Sequence, residues 1–360
     1  MTSAPDVAVV GAGIVGCAVA AFLAEAGASV LLVERDDVAA AASGRNSGVL
    51  QHPMDATLAP LFDASLRHYR ELGEHGFALP DEPHGVLVVA AAELGVPAEL
   101  ASFPELRAER IADATQVEPA LTAGLAGVRL HTGYPVGPAT ATRAFADRAR
   151  AAGARLLTGA EAALASGGIT VHGARRPAGA VVIAGGPWTP ALVDPSGGWR
   201  PIAPLWGVIA EVRLDAPPRH TLEEAGIDEL VARVADPPPL FSLVTTGAVS
   251  ALGSTFQPEC PDAEALAPRL RERGARFVPA LADAAIGAVR ACARPLSADG
   301  LPLLGRAPGR DDVFVAAGHG PWGISLGPAS ARLVADLVLG RAAAPPAPFD
   351  PRRFPAPPAG

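Results

Sequence analysis

Residues 6–34 read DVAVVGAGIVGCAVAAFLAEAGASVLLVE, and this stretch decides the fold. The short β-rich run at 6–10 is followed by glycines at positions 11, 13 and 16, where an apolar, alanine-rich helix of about four turns begins. Gly27 is expected to close that helix, and Ser29–Val33 is a second apolar strand. The stretch therefore predicts a strand, a tight turn, a helix and another strand.

The three glycines of this unit have separate roles. Gly11 permits the sharp turn out of the strand, Gly13 lets the backbone approach a pyrophosphate, and Gly16 allows the helix to pack closely on the sheet. The phosphates then meet free backbone amides at the positive end of the helix. Glu34 ends the second strand, where a carboxylate accepts both ribose hydroxyls of an adenosine and repels the 2′-phosphate of NADP. The unit as a whole predicts a dinucleotide site.

An alternative is that Val7–Ala24, which carries no charge, forms a membrane helix or a secretory signal. A signal requires a positive segment before the apolar run, and here Asp6 precedes it. Three glycines at dinucleotide spacing are also unusual in a membrane span. We therefore expect no membrane span.

Composition limits the classes of partner and cofactor. The 360 residues are enough for two domains, and a net charge of −8 without a basic run argues against a nucleic-acid partner. The three cysteines have no C-x-x-C spacing, so neither a disulfide framework nor a metal site is indicated, and we expect a cytoplasmic protein. The sequence contains no lysine, which excludes a Schiff-base lysine for pyridoxal phosphate and a Walker lysine.

The remaining chain alternates between two textures. Helices are predicted at Leu58–Glu74, Ala139–Ala152, Pro261–Arg276 and up to Leu339. Between Pro204 and Ala251, period-two strands at 205–214, 229–235, 240–247 and 248–254 are separated by Pro or Gly, which predicts an antiparallel sheet and a second domain. Beyond Arg341 the Pro-rich tail is expected to be extended or disordered.

Three separated blocks carry a family resemblance: the dinucleotide unit with Glu34, the GRNSG loop at 44–48, and RPLSADGLPLLG (294–305) followed by VFVAAGHGPWGISLGPASARLVADLVLG (313–340). Together they resemble the FAD-dependent amine and amino-acid oxidoreductases related to D-amino-acid oxidase, glycine oxidase and sarcosine oxidase. The resemblance implies an α/β fold in which a Rossmann-type FAD-binding domain is interleaved with an α+β substrate domain built on an antiparallel sheet. It places the FAD-binding domain at 1–80, 133–203 and 285–342, the substrate domain at 81–132 and 204–284, and a Pro-rich tail at 343–360.

The resemblance also implies which residues bind FAD. The first unit holds the ADP half, the loop after the second strand lies along the pyrophosphate and flavin, and the C-terminal loop and helix hold the pyrimidine end of the flavin. Without a ligand, the loop after the second strand would be a flexible turn, and the C-terminal loop would be a glycine-rich helix cap. The expected residues are Gly11, Gly13, Ile14, Val15, Gly16, Glu34, Arg35, Ser43, Gly44, Arg45, Asn46, Ser47, Gly48, Gly185, Trp188, Gly318, Gly320, Trp322, Gly323, Ile324 and Ser325.

Arg294 occupies the place where glycine oxidase has its carboxylate-binding arginine, and a guanidinium suits a planar carboxylate. Alternatively it is a surface arginine beside Pro295. Where glycine oxidase has a second arginine, this chain has Pro321 and Trp322, a departure that concerns the identity of the substrate. Cys292 matches the residue that binds flavin covalently in the sarcosine-oxidase branch, although a core cysteine with non-covalent FAD is the favoured interpretation. That branch activates oxygen with a lysine, so the acceptor here is oxygen activated by another cation or a different molecule.

The favoured hypothesis is an FAD-dependent oxidase or dehydrogenase that oxidises the C–N bond of an amino acid or secondary amine by hydride transfer to flavin N5. Arg294 would hold the carboxylate, and His52 or His319 would polarise or deprotonate the amine, although either histidine could instead be packed in the core. Two alternatives are open: oxidation of a 2-hydroxy acid, which requires a base such as His52, and a flavin-binding protein without turnover.

Overall fold

A computed structural model describes residues 4–91, 97–226 and 238–355. Its strands, in chain order, are β1 (Val7–Val10), β2 (Val30–Val33), β3 (Val49–Leu50), β4 (Val86–Ala90), β5 (Glu109–Ile111), β6 (Ala126–Leu130), β7 (Tyr134–Pro135), β8 (Arg155–Leu157), β9 (Ala162–Ala165), β10 (Gly168–Val171), β11 (Ala174–Pro177), β12 (Ala180–Ile183), β13 (Ile202–Val212), β14 (Thr221–Glu224), β15 (Ser242–Thr246), β16 (Val249–Gly253), β17 (Ile286–Ser297), β18 (Leu303–Arg306) and β19 (Val313–Ala317). The α-helices are α1 (Ile14–Glu25), α2 (Ala42–Arg45), α3 (Ala59–Arg70), α4 (Pro138–Ala151), α5 (Thr189–Val193), α6 (Ala263–Ala275) and α7 (Gly323–Val338).

One of the two large sheets has six strands, drawn from both ends and the middle of the chain. Its order is β18-β19-β12-β1-β2-β8, and all neighbours are parallel except β18 and β19. Strands β1 and β2 are apolar throughout because both faces of the sheet are covered. Helix α1 packs against α4 and α7 on one face, and Gly27 with φ +91° ends it. The first strand, helix and strand are thus as the sequence predicts.

The other large sheet has eight strands, in the order β17-β13-β16-β15-β14-β4-β6-β5. Its neighbours are antiparallel, except that β4 and β14 run parallel. One face packs against α6 around Val208, Phe241 and Leu252, whereas Ile209 and Ala251 on the other face lie in a separate apolar cluster near Val49. The mixed α/β architecture with a Rossmann-type sheet and a mainly antiparallel sheet is confirmed.

Two predicted elements differ from the structure. The helix predicted at Leu58–Glu74 ends at Arg70, and a separate 3₁₀ turn covers Gly73–His75, because glycine is a poor helix former. The strand predicted at 229–235 lies outside the described residues. The division into domains stays a prediction. Strand β17 begins just after the predicted boundary at 285, within the predicted FAD-binding domain, and it pairs along its length with β13 of the eight-stranded sheet.

The prediction for the C-terminal tail was wrong as far as Pro355. Two 3₁₀ turns at Ala347–Phe349 and Pro351–Arg353 pack against the body of the protein, and Phe349 is buried in the main core. Pro345 and Pro351 lie directly against the backbone of Gly305 in β18. Proline-rich composition indicates an irregular backbone, but it does not prevent tertiary packing. Among the described helices, none is long and apolar enough to span a membrane.

Candidate functional site

A cleft runs along the carboxyl ends of β1, β2, β12 and β19 and reaches the eight-stranded sheet. Ligands bind at this edge of open α/β sheets. The predicted residues that line it are Gly11, Gly13, Ile14, Val15, Glu34, Arg35, Ser43, Asn46, Gly185, Trp188, Cys292, Arg294, His319, Gly320, Gly323 and Ile324. The predicted residues that do not line it are Gly16, Gly44, Arg45, Ser47, Gly48, His52, Gly318, Trp322 and Ser325.

The glycine turn at the start of α1 fits a pyrophosphate. A Cβ on Gly11, whose φ is +104°, would lie 2.4 Å from the Ala184 carbonyl oxygen, and one on Gly16 would lie 1.8 Å from the Gly11 carbonyl oxygen. These two glycines are therefore required by the fold. Gly13 differs, because its Cβ would meet only the Ser43 side chain, with the hydroxyl at 2.9 Å, and this glycine lines the cleft. The turn thus leaves space for a ligand at Gly13.

Glu34 is held at the end of β2 with its carboxylate at the cleft. One oxygen accepts a hydrogen bond from the Ala12 amide at 2.7 Å and the other from the Asp36 amide at 2.9 Å. A carboxylate has about four acceptor positions, so it can also accept bonds from ribose hydroxyls. Beside it, the Arg35 guanidinium lies 4.7 Å from the centre of the half-exposed Trp188 ring. This end of the cleft suits an adenosine.

The sequence did not predict the residues of the cleft that follow β8, namely Ala160, Glu161 and Ala162. Strand β8 pairs with β2 in parallel, so the segment after it arrives beside Glu34. That neighbour relation was the available signal, since the carboxyl ends of adjacent parallel strands meet at one edge.

The loop after β2 is fixed by contacts with itself and with the eight-stranded sheet. The Asn46 side chain accepts from the Gly48 amide at 2.8 Å and donates to the Ala42 carbonyl at 2.9 Å. Arg290 of β17 donates to the carbonyls of Arg45 and Asn46, at 3.1 and 3.2 Å, and forms an ion pair with Glu211. This loop is therefore anchored, which does not favour a flexible surface turn.

The helix N-terminus predicted at the C-terminal loop opens onto the same cleft. A 3₁₀ turn at Gly320–Trp322 leads into α7, and Gly320 and Ile324 line the cleft. The Tyr69 hydroxyl donates to the Ile324 carbonyl at 2.7 Å, so the first turn of α7 is fixed. Trp322 instead packs against the main core.

Arg294 is half-buried at the wall of the cleft on β17. It donates to the Thr255 carbonyl at 3.0 Å and to the Ser254 hydroxyl at 2.7 Å, and its guanidinium lies 4.6 Å from the centre of the Phe256 ring. Burial lowers the pKa of Arg294, although an arginine remains charged in proteins. Among the described residues no carboxylate pairs with it. Its charge is thus available to an anion.

Cys292 and His319 also line the cleft, and both are buried. Burial raises the pKa of the Cys292 thiol, so the protonated form is favoured at neutral pH. Burial lowers the pKa of the His319 imidazole to about 4, so this ring is neutral at pH 7. No hydrogen-bond partner for its Nε2 is found in the described part of the chain.

His52 lies outside the cleft, packed edge-on against Phe62 and Phe103. Its Nδ1 accepts from the Met54 amide at 3.0 Å, and its Nε2 is 3.6 Å from the Glu105 carboxylate. The structure therefore does not bring His52 to Arg294 in the cleft, and its predicted role as a base is not favoured.

Comparisons with known proteins agree with this geometry. The family model described as "FAD dependent oxidoreductase" matches residues 6–337. Glycine oxidase of Geobacillus kaustophilus is 30% identical over 369 residues, which cover 94% of each chain, and glycine oxidase of Bacillus licheniformis is 27% identical over 359 residues, 93% of each. The crystal structure of the G. kaustophilus enzyme superposes with a TM-score of 0.79 at 27% identity, covering 97% of this chain and 98% of that one. An L-proline dehydrogenase from P. horikoshii shares the fold, with a TM-score of 0.80 at 21% identity over 98% of both chains.

Proposed function

Because the chain belongs to the FAD-dependent oxidoreductase family of D-amino-acid oxidase type, we propose that it oxidises the C–N bond of an amino acid, or of a secondary amine that carries a carboxylate. FAD, when bound, supplies the flavin N5 that accepts a hydride from the substrate. The contribution of this chain is to bind and orient the two molecules.

We propose that the cleft residues hold FAD along its length. The amides around Gly13 would bind the pyrophosphate, Glu34 the adenosine ribose, and the anchored loop at Ser43–Asn46 the middle of the molecule. The amides at the start of α7 would face the pyrimidine end, where they stabilise negative charge. Binding is non-covalent in this proposal, because a buried, protonated Cys292 thiol is a poor nucleophile.

The observation that carries the proposal is the unpaired charge of Arg294. A charged group that is partly removed from water is destabilised unless an opposite charge compensates it, and the described residues provide none. A substrate carboxylate would do so, and a guanidinium holds it through two parallel hydrogen bonds. The carboxylate then fixes the neighbouring carbon, so that its hydrogen is oriented for transfer.

The set of titratable groups at the cleft favours an amine over a 2-hydroxy acid. Oxidation of an alcohol requires a base that takes the hydroxyl proton, and His52 lies outside the cleft. His319 does line it, but a group with a pKa of about 4 is a weak base at neutral pH. An amine bound in its neutral form needs no such base. Two relatives of this chain are named glycine oxidase, which agrees with an amine rather than a 2-hydroxy acid as substrate.

Anaerobic titration of the FAD-loaded protein tests the proposal. We expect glycine, other small amino acids or N-methyl amino acids to bleach the flavin and to release ammonia or a primary amine. Bleaching by 2-hydroxy acids alone, without released nitrogen, would support the second candidate function. A flavin that no compound of either class bleaches would indicate a binding protein without turnover. Repeating the reaction in air, with detection of hydrogen peroxide, distinguishes oxygen from another electron acceptor.

A further inference from the structure

The guanidinium of Arg294 lies against a glycine of the neighbouring strand. Gly207 of β13 is opposite Cys292 of β17, and Arg294 is the next residue of β17 on the same face. A Cβ on Gly207 would lie 2.3 Å and 2.4 Å from the two terminal nitrogens of Arg294 and 2.5 Å from its central carbon. The guanidinium therefore occupies the space that any other residue at position 207 would fill.

The other contacts of the guanidinium leave part of its hydrogen-bonding capacity unused. The centre of the Phe256 ring lies 4.6 Å from the central carbon of the guanidinium. The Thr255 carbonyl and the Ser254 hydroxyl each accept one hydrogen bond from it. An arginine has five N–H donors, so among the described residues these two bonds leave about three without a partner. Since Arg294 lines the cleft, the remaining donors are available to a carboxylate there.

We propose that Gly207 is a positioning residue that determines whether Arg294 can hold a substrate carboxylate, an inference that rests on the proposed function. With a side chain at 207, the guanidinium must move off β13 and break its bonds to Ser254 and Thr255. It then enters the space of the carboxylate that it should bind. Specificity for carboxylates thus depends on the absence of a side chain on the adjacent strand.

The geometry also makes the inference testable without loss of the fold. The three atoms nearest to the added Cβ all belong to the end of a flexible side chain, so Arg294 can move while the backbone stays in place. Gly287 offers a matched control on β17. A Cβ there would lie 3.4 Å from the Glu211 carbonyl oxygen, which is ordinary contact.

The experiment compares the FAD-loaded wild type with Gly207→Ala, Arg294→Met, the double variant and Gly287→Ala, all with equal flavin content. The probe is acetate, a carboxylate without an amine to oxidise, and its Kd is measured from the change in flavin absorbance. We expect Gly207→Ala and Arg294→Met each to weaken acetate binding at least tenfold. The double variant should bind no more weakly than Arg294→Met, and Gly287→Ala should stay within twofold of the wild type.

The outcomes separate this inference from the proposed function. If Arg294→Met binds acetate like the wild type, the proposed carboxylate site is wrong. If Arg294→Met loses acetate but Gly207→Ala does not, the carboxylate site stands and the role of Gly207 is overturned. A further tenfold loss on adding Gly207→Ala to Arg294→Met would also overturn it, because Gly207 would then act without the guanidinium.

Discussion

Arg353 ties the C-terminal tail to the turn that follows the Arg294 strand, and its removal should destabilise the protein. Its guanidinium binds the Asp299 carboxylate through two bonds of 2.6 and 2.9 Å. It also donates to the carbonyls of Leu301, Pro302 and Asp350, at 2.8, 3.3 and 3.2 Å. Arg353→Met keeps the apolar stem and removes all five hydrogen bonds, so the turn at Asp299 loses its attachment to the tail.

The size of the effect follows from burial. A hydrogen bond to a charged group contributes about 1.5 to 3 kcal/mol when buried, whereas an exposed ion pair contributes about 0 to 1 kcal/mol. The side chains of Arg353 and Asp299 are 17% and 36% exposed, so the pair lies between these limits. We expect Arg353→Met to lower the free energy of unfolding by about 2 kcal/mol, or Tm by roughly 3 °C in a chain of this size.

Chemical and thermal unfolding of the FAD-loaded protein measure this change, and Arg352→Met is the matched control. Arg352 is one residue away, but its side chain is 55% exposed and pairs with Asp350. Arg352→Met should therefore lower the free energy of unfolding by no more than about 1 kcal/mol. If the two variants lose the same stability, the tail is not attached through Arg353 and the reasoning is refuted.

The same contact predicts a pH dependence. The hydrogen bond from Arg353 lowers the pKa of the Asp299 carboxyl below its ordinary value. The contact between Arg353 and Asp299 therefore stabilises the folded state above the pKa of the carboxyl in the unfolded chain, about 3.9. This stabilisation is lost as the pH falls through the lower pKa of the carboxyl in the folded protein. The stability difference between the wild type and Arg353→Met should shrink below about pH 4, and a difference that grows on acidification would contradict this assignment.

Two further predictions concern the cofactor. Gly13→Val should fold, as judged by circular dichroism, but purify without FAD, because its side chain would fill the space opposite Ser43 where the pyrophosphate is proposed to bind; a folded variant with a normal flavin spectrum would show the assignment to be wrong. Acid or heat should release the flavin from the wild type, and Cys292→Ser should retain FAD, whereas flavin that stays with the protein in a denaturing gel and is lost in Cys292→Ser would establish covalent attachment.

The sequence was most informative where structure is local. The first strand, glycine turn and helix are contiguous, so spacing alone predicts how Gly11, Gly13 and Gly16 are used. The position of Arg294 at the cleft followed from the family resemblance rather than from any local pattern. The arginine lies in a strand whose partner is about 90 residues earlier in the chain, a pairing that local periodicity does not reveal.

The missed features depend on contacts between distant segments. Gly207 looks like any glycine in an apolar strand, and its role becomes visible only when β17 pairs with β13 and places Arg294 beside it. Asp299 and Leu301, two of the partners of Arg353, lie about 50 residues earlier, and proline content cannot indicate such contacts. We expected His52 to polarise or deprotonate the amine at the cleft. The chain instead turns at Met54, whose φ is +54°, and the ring packs between two phenylalanines.

The most direct test of the account is the rate of anaerobic flavin reduction by an amino acid in Arg294→Met, compared with the wild type at equal FAD content. Losing a charge-assisted hydrogen bond costs about 1.5 to 3 kcal/mol, and each 1.36 kcal/mol is roughly a factor of ten. We predict that kcat/KM for flavin reduction falls at least tenfold, while the flavin spectrum and content stay normal. Unchanged reduction kinetics in Arg294→Met would contradict the account, because the substrate would then be oxidised without the cation that is proposed to hold its carboxylate.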